Sequence, residues 1–95
     1  MEYPPTSLSS YDIGTGVVSR LVGDEMILVH LDSETYFGLN RTGSVIWTEL
    51  ERRTPVPEIV TAIVDRFDVS AERAAADVRT LLDELGRFGL ARRSA

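Results

Sequence analysis

Few side chains in this 95-residue chain could carry out chemistry, and their spacing fits no catalytic or metal site. The chain has no cysteine, which excludes disulfides and thiolate chemistry. Its one histidine, His30, lies inside an apolar run, and one imidazole with scattered carboxylates does not supply the ligands of a metal site. The nearest carboxylates belong to turns, where we expect them to be solvated: Asp24, Glu25, Asp32 and Glu34. We therefore predict a protein that is not an enzyme and that holds no cofactor or metal ion.

Composition and charge exclude further classes. The segment Gly14-Thr15-Gly16 lacks the Gly-Lys pair and the helix that follow in a phosphate-binding loop. The net charge is −5, which disfavours nonspecific binding to nucleic-acid phosphates. No apolar run reaches the length of about 20 residues that spans a bilayer, and the first residues lack the basic start and apolar stretch of a signal peptide. We expect a cytoplasmic protein that binds neither nucleic acid nor membrane.

The elements that must position any working residues begin with strands. Residues 1–12 are predicted to be a flexible segment, because they carry prolines and serines and show no apolar periodicity. Three runs of strand length follow, separated by short turns, at 13–22, 26–31 and 35–39. Tight connections between consecutive strands predict a three-stranded antiparallel meander.

Three helices are predicted after the meander. Asn40 is a candidate N-cap for a helix over about 41–51, which carries the only tryptophan. A second helix begins near Pro55 and ends at Phe67, and a third runs over about 71–87 with Ser70 as its N-cap candidate. Residues 90–92 are a candidate for a last short extended piece. Strands followed by helices indicate an α+β fold, and these elements are the content of a winged helix-turn-helix.

The third strand is the best candidate for a working surface. A small meander leaves edges unpaired, and the segment from Thr35 to Leu39 contains neither Pro nor Lys, which commonly block an edge. Such an edge can pair its backbone with an extended peptide. Alternation places Thr35, Phe37 and Leu39 on one face of this strand and Tyr36 and Gly38 on the other. A few net hydrogen bonds do not overcome the ordering of a peptide, and side-chain pockets are needed as well.

The third helix can supply such a pocket. Four apolar residues make the core line on its helical wheel: Ala74, Val78, Leu81 and Leu85. One flank of that line offers small and apolar residues and one donor: Ala75, Arg79, Leu82 and Gly86. We predict that this flank forms a wall of the peptide cleft. The alternative is that Ala75 and Leu82 only widen the core stripe.

A winged helix-turn-helix that binds DNA is the alternative function. A recognition helix needs a basic, polar outer face. The third helix carries three arginines against four carboxylates, so its net charge is about −1. The charge of the helix therefore weighs against a DNA-binding regulator.

Several segments in a fixed order resemble the PqqD-like family. They are Tyr36 to Trp47, Pro57 to Val60, Asp68 to Ser70, Asp77-Val78 followed by Leu81-Leu82 and Leu85, and Gly89-Leu90. The resemblance covers about residues 15–91. It implies a recognition element of pathways that modify ribosomally made peptides, with the recognition domain over 13–92. The small size and the acidic chain, whose basic residues are all arginine, resemble the free-standing members of lasso-peptide clusters.

The resemblance implies a concrete function. Such proteins fold as winged helix-turn-helix domains and bind the leader segment of a precursor peptide, which adds to the third strand and lies against the third helix. A lasso-cluster member resembles an adaptor that hands the precursor to a separate leader peptidase. Carried onto this chain, and with the flank chosen above, the predicted peptide-binding residues are Glu34, Thr35, Tyr36, Phe37, Gly38, Leu39, Ala75, Val78, Arg79 and Leu82.

Overall fold

The computed structural model of the chain describes residues 11–93. Two sheets and three helices make up this part of the chain. The strands are β1 (Tyr11–Ile13), β2 (Val17–Val22), β3 (Glu25–His30), β4 (Thr35–Leu39) and β5 (Ala91–Arg93). The helices, which all lie between β4 and β5, are α1 (Arg41–Glu51), α2 (Val56–Phe67) and α3 (Ala71–Arg87). The α+β class is confirmed, and the winged helix-turn-helix stays a prediction.

The sheet content differs from the sequence prediction in one respect. The predicted meander is present as an antiparallel sheet with the order β2-β3-β4, but β1 and β5 form a second, two-stranded sheet. The prediction of one strand over 13–22 was therefore wrong, as was the assignment of Tyr11 and Asp12 to the flexible segment. The rest of that predicted segment, residues 1–10, lies outside the described residues. Gly16 has φ of 78°, and the turn that it completes separates β1 from β2. The extended piece expected at 90–92 is β5.

The junction between β4 and α1 is held by a capped helix start. The side chain of Asn40 accepts a hydrogen bond from the N–H of Gly43 at 2.8 Å, as expected of an N-cap. The hydroxyl of Ser44 donates to the C=O of Asn40 at 2.8 Å. A Cβ atom built at Gly43 would lie 3.2 Å from the Cβ of Leu39, so the small residue lets the helix start against the strand. The end of β4 is thus fixed to α1.

The core lies between the inner face of the meander and the three helices. Its largest fully buried side chains include Trp47 of α1, Leu28 of β3 and Ile59 of α2. In α3 the predicted core line is buried at Ala74, Val78 and Leu85, and Leu82 is buried with it. This apolar contact holds α3 beside the meander, because burial of such side chains is the main stabilising term in a domain of this size.

The two-stranded sheet closes the fold behind α3. The N–H of Gly14 donates to the C=O of Leu90 at 2.9 Å, next to the pairing of Ile13 with Ala91. A Cβ at Gly14 would lie 2.4 Å from the backbone oxygen of Gly89, so this approach requires glycine. The end of α3 is thereby tied to β1.

Candidate functional site

Strand β4 lies at the edge of its sheet. Within residues 11–93 it pairs with β3 on one side and with no strand on the other. Its burial alternates as predicted: Leu39 is buried and Phe37 half-buried toward the helices, whereas Tyr36 is 74% exposed and Gly38 is exposed. The edge contains no Pro or Lys, which commonly block a further strand.

The hydrogen bonds of the meander decide which backbone groups of β4 are free. The N–H of Leu31 donates to the C=O of Gly16 at 2.9 Å and so points toward β2. Successive residues of an antiparallel strand present their N–H and C=O groups to opposite sides. Val29 therefore bonds to β2, and Leu28 presents its N–H and C=O groups to β4.

The register carries this alternation onto β4. Leu28 lies opposite Phe37. His30 and Met26, whose backbone groups point the same way as those of Leu28, lie opposite Thr35 and Leu39. These three residues of β4 are bonded to β3, and the N–H and C=O groups of Tyr36 and Gly38 point away from the sheet. The free edge thus offers two donors and two acceptors, spaced two residues apart.

A groove of about 470 Å³ runs along this edge between β4 and α3. From the strand and the start of α1 it is lined by Phe37, Gly38, Leu39, Asn40, Thr42, Gly43 and Ile46. From α3 it is lined by Arg73, Asp77, Thr80, Leu81 and Glu84. Arg73 and Glu84 are eleven residues apart, which is about 16 Å along a helix. That length matches about five residues of extended chain, the length of β4 itself.

The floor and the wall of the groove differ in chemistry. Leu39 and Ile46 are buried beneath it, and Leu81 is half-buried and packs against the core. The wall on α3 is polar, and the guanidinium of Arg73 lies 3.4 Å from the carboxylate of Asp77. An extended chain in this groove would place alternate side chains on an apolar floor beside polar groups.

An aromatic pair lies beside the groove at the end of α3, with Phe37 in the groove lining. The rings of Phe37 and Phe88 lie 5.7 Å apart between centroids, at an interplanar angle of 49°. This distance is within the range of favourable aromatic pairs. Phe88 is the C-cap residue of α3 and is 51% exposed, so its ring remains accessible at this end.

The structure brings together only part of the predicted peptide-binding set. Thr35 to Leu39 form the edge, but Glu34 lies in the preceding turn with φ of 56° and does not belong to β4. Ala75 and Arg79 line a different cavity, with Tyr11 and residues of α2, across the helix from β4. Val78 and Leu82 are buried in the core beneath that cavity.

The other flank of α3 faces β4 in the structure, and the predicted flank lines a separate cavity. Arg73, Asp77, Thr80, Leu81 and Glu84 form the wall beside β4. The helical wheel predicts Leu81 in the core line, and the sequence contains no signal for the four polar residues. On the helical wheel the apolar core line of α3 has one flank on each side. The spacing of residues along the helix does not show which flank faces β4. Of the two residues in the alternative interpretation, Leu82 is buried with the core stripe and Ala75 is half-buried.

Between residues 11 and 93 no group of three or more His, Cys, Asp or Glu residues is arranged to hold a metal ion. In the same range no helix has the length and apolar character needed to cross a bilayer.

The fold and the groove define a class of protein: a small α+β domain whose free strand edge lies beside a helix-lined groove. The chain matches the family described as coenzyme PQQ synthesis protein D (PqqD) over residues 25–91, which is most of its length. The chain belongs to the PqqD family. The resemblance seen in the sequence is confirmed.

Two solved structures are similar to the chain. TbiB1 in complex with the TbiA(beta) leader peptide is 39% identical, with a TM-score of 0.80, over 84% of this chain and 93% of that chain. Lasso peptide synthetase B1 complexed with the leader peptide is 20% identical, also with a TM-score of 0.80, over 86% of this chain and 96% of that chain, and shows the fold alone. The search of curated proteins found no match.

Proposed function

We propose that this protein is a non-catalytic adaptor that binds the leader segment of a ribosomally made precursor peptide. The leader adds as a strand to β4 and lies in the groove against α3. The observation that carries this proposal is the outward backbone of Tyr36 and Gly38 beside a groove of matching length. The 39% identity with TbiB1, whose structure contains the TbiA(beta) leader peptide, supports the same ligand class.

The energetics require both the edge and the groove. Two N–H and two C=O groups allow about four hydrogen bonds, each contributing about 0.5–1.5 kcal/mol. Ordering five residues of peptide backbone costs about 1–2 kcal/mol each, so the hydrogen bonds alone do not give useful affinity. Side chains of the leader that bury apolar surface on Leu39, Ile46 and Leu81 supply the remainder.

The pathway is part of the proposal. We place the protein in lasso-peptide maturation, where it presents the bound precursor to a partner leader peptidase in the cytoplasm. Its helices then serve as a winged helix-turn-helix that binds peptide in place of DNA. The net charge of −5 weighs against the DNA-binding alternative. Faster removal of the leader by the peptidase when this protein is added would be the expected functional readout.

The test of binding is an NMR titration. A 20-residue synthetic leader, taken from a precursor gene found next to the gene of this protein, is added to the ¹⁵N-labelled protein, and a scrambled peptide of the same composition is the control. The leader should shift the amides of Tyr36 and Gly38 and those of Thr80 and Leu81, and it should slow exchange of the Tyr36 and Gly38 N–H protons. At saturating leader, unchanged β4 amides would contradict the proposed function.

A further inference from the structure

The groove carries one charge that the protein itself does not neutralise. Three charged side chains line it, and two of them, Arg73 and Asp77, are paired with each other at 3.4 Å. Glu84 is half-buried and makes no ion pair within residues 11–93. Arg87, the nearest cation along the helix, is exposed and is not among the groove-lining residues. The wall therefore presents an uncompensated carboxylate at one end.

The surroundings of Glu84 favour a cation in two further ways. Phe88 lies four residues beyond Glu84, on the same side of the helix, and its exposed ring can accept a cation on its face. Glu84 is also four residues before the C-cap of α3, where the helix dipole is negative and favours positive charge. Phe37 lines the groove together with Glu84 and contacts Phe88, which places the ring beside the Glu84 end of the groove.

Strand geometry decides which leader residue reaches this volume. Phe37 lies on the groove face of β4 and contacts Phe88 at 5.7 Å between ring centroids. A strand added to β4 lies about 4.8 Å away, and every second side chain points into the groove. The groove-facing leader residue nearest Phe37 is thus within reach of Glu84 for a side chain as long as Lys or Arg. The groove-facing residue two positions away lies over the apolar floor at Leu39.

Resting on the proposed function, we infer that the groove selects a leader with a Lys or Arg side chain whose cation binds between Glu84 and the ring of Phe88. An apolar residue lies two positions from it in the leader, so the recognised pattern is a basic and an apolar residue with one residue between them. Glu84 is thereby a specificity-determining residue of the peptide site.

The test asks whether replacing a basic residue of the leader and replacing Glu84 have independent effects on the Kd. The 20-residue synthetic leader and variants with each Lys or Arg replaced by Gln are titrated against the wild type, Glu84→Gln and Asp83→Asn. Asp83→Asn is the matched control, because it removes the same charge one residue away in the cavity across the helix. Glu84→Gln is nearly isosteric, and thermal unfolding verifies that both variants fold.

We expect Glu84→Gln to raise the Kd of the leader about fivefold and Asp83→Asn to leave it within about twofold. Replacing one particular Lys or Arg of the leader by Gln should weaken binding to the wild-type protein by a similar factor. The same replacement should not weaken binding to the Glu84→Gln protein any further. A leader peptide in which that Lys or Arg is replaced by Glu should bind the Glu84→Arg protein more tightly than it binds the wild-type protein.

The outcomes separate the inference from the proposed function. If the leader shifts the Tyr36 and Gly38 amides but Glu84→Gln leaves the Kd unchanged, or if the leader that binds has no basic residue, the inference is overturned and strand addition stands. If the leader leaves the β4 amides unchanged, the proposed function itself fails.

Discussion

The free edge of β4 leads to a sharp prediction: Gly38→Pro weakens leader binding strongly and leaves the fold intact. Proline removes the N–H of residue 38, which points away from β3, so the β3–β4 ladder keeps its hydrogen bonds. The added Cβ meets open space, because only the Cδ1 atom of Ile27 would lie near it, at 4.0 Å, and the ring Cδ takes the place of the outward N–H. Gly38 is also not a positive-φ glycine, and the backbone there accepts an L residue.

The expected loss of affinity follows from the hydrogen bond. Removing the N–H forfeits a net contribution of about 0.5–1.5 kcal/mol, and the leader C=O left unpaired against the ring costs about 1–3 kcal/mol more. A combined loss of about 1.5–4.5 kcal/mol corresponds to a rise in Kd of at least about tenfold.

Fluorescence anisotropy with a labelled leader measures this change. Gly38→Ala is the matched control, because it adds a Cβ at the same place and keeps the N–H, and its Kd should stay within about twofold of the wild type. Phe37→Pro should act differently, since it removes a ladder N–H and lowers the melting temperature. Circular dichroism verifies folding of each variant. A folded Gly38→Pro protein with a Kd within threefold of Gly38→Ala would refute strand addition at β4.

Two further predictions test the groove and the closure of the fold. Arg79→Ala should leave the Kd of the leader within about twofold, because Arg79 lies across α3 from β4. Leu81→Ala should raise the Kd about fivefold, because apolar burial in the groove is lost. The reverse order in the same anisotropy assay would contradict the assignment of the groove wall. Gly14→Ala should destabilise the fold by about 1–3 kcal/mol, because its Cβ would lie 2.4 Å from the Gly89 oxygen. Each kcal/mol lowers the melting temperature by about 4–8 °C. A melting temperature equal to that of the wild type would show that β1 and β5 do not pack in this way.

The local elements of this protein are determined by its sequence. The side chains of Asn40 and Ser70 cap α1 and α3 as their types predict. The prediction of α3 over 71–87 is confirmed, and the alternation of β4 is visible in its burial. These features depend on capping groups and periodicity within a few residues, which are readable without knowledge of the rest of the chain.

The tertiary structure alone decided the features that make the site. The pairing of β1 with β5 joins residues about 80 apart along the chain. The direction of the Tyr36 N–H depends on the register of β4 against β3, and β3 is in turn set by β2. The flank of α3 that faces β4 depends on how the helix packs, because a core line has two flanks that local spacing treats alike. Glu84 lines the groove beside this edge only because the packed helix places it there.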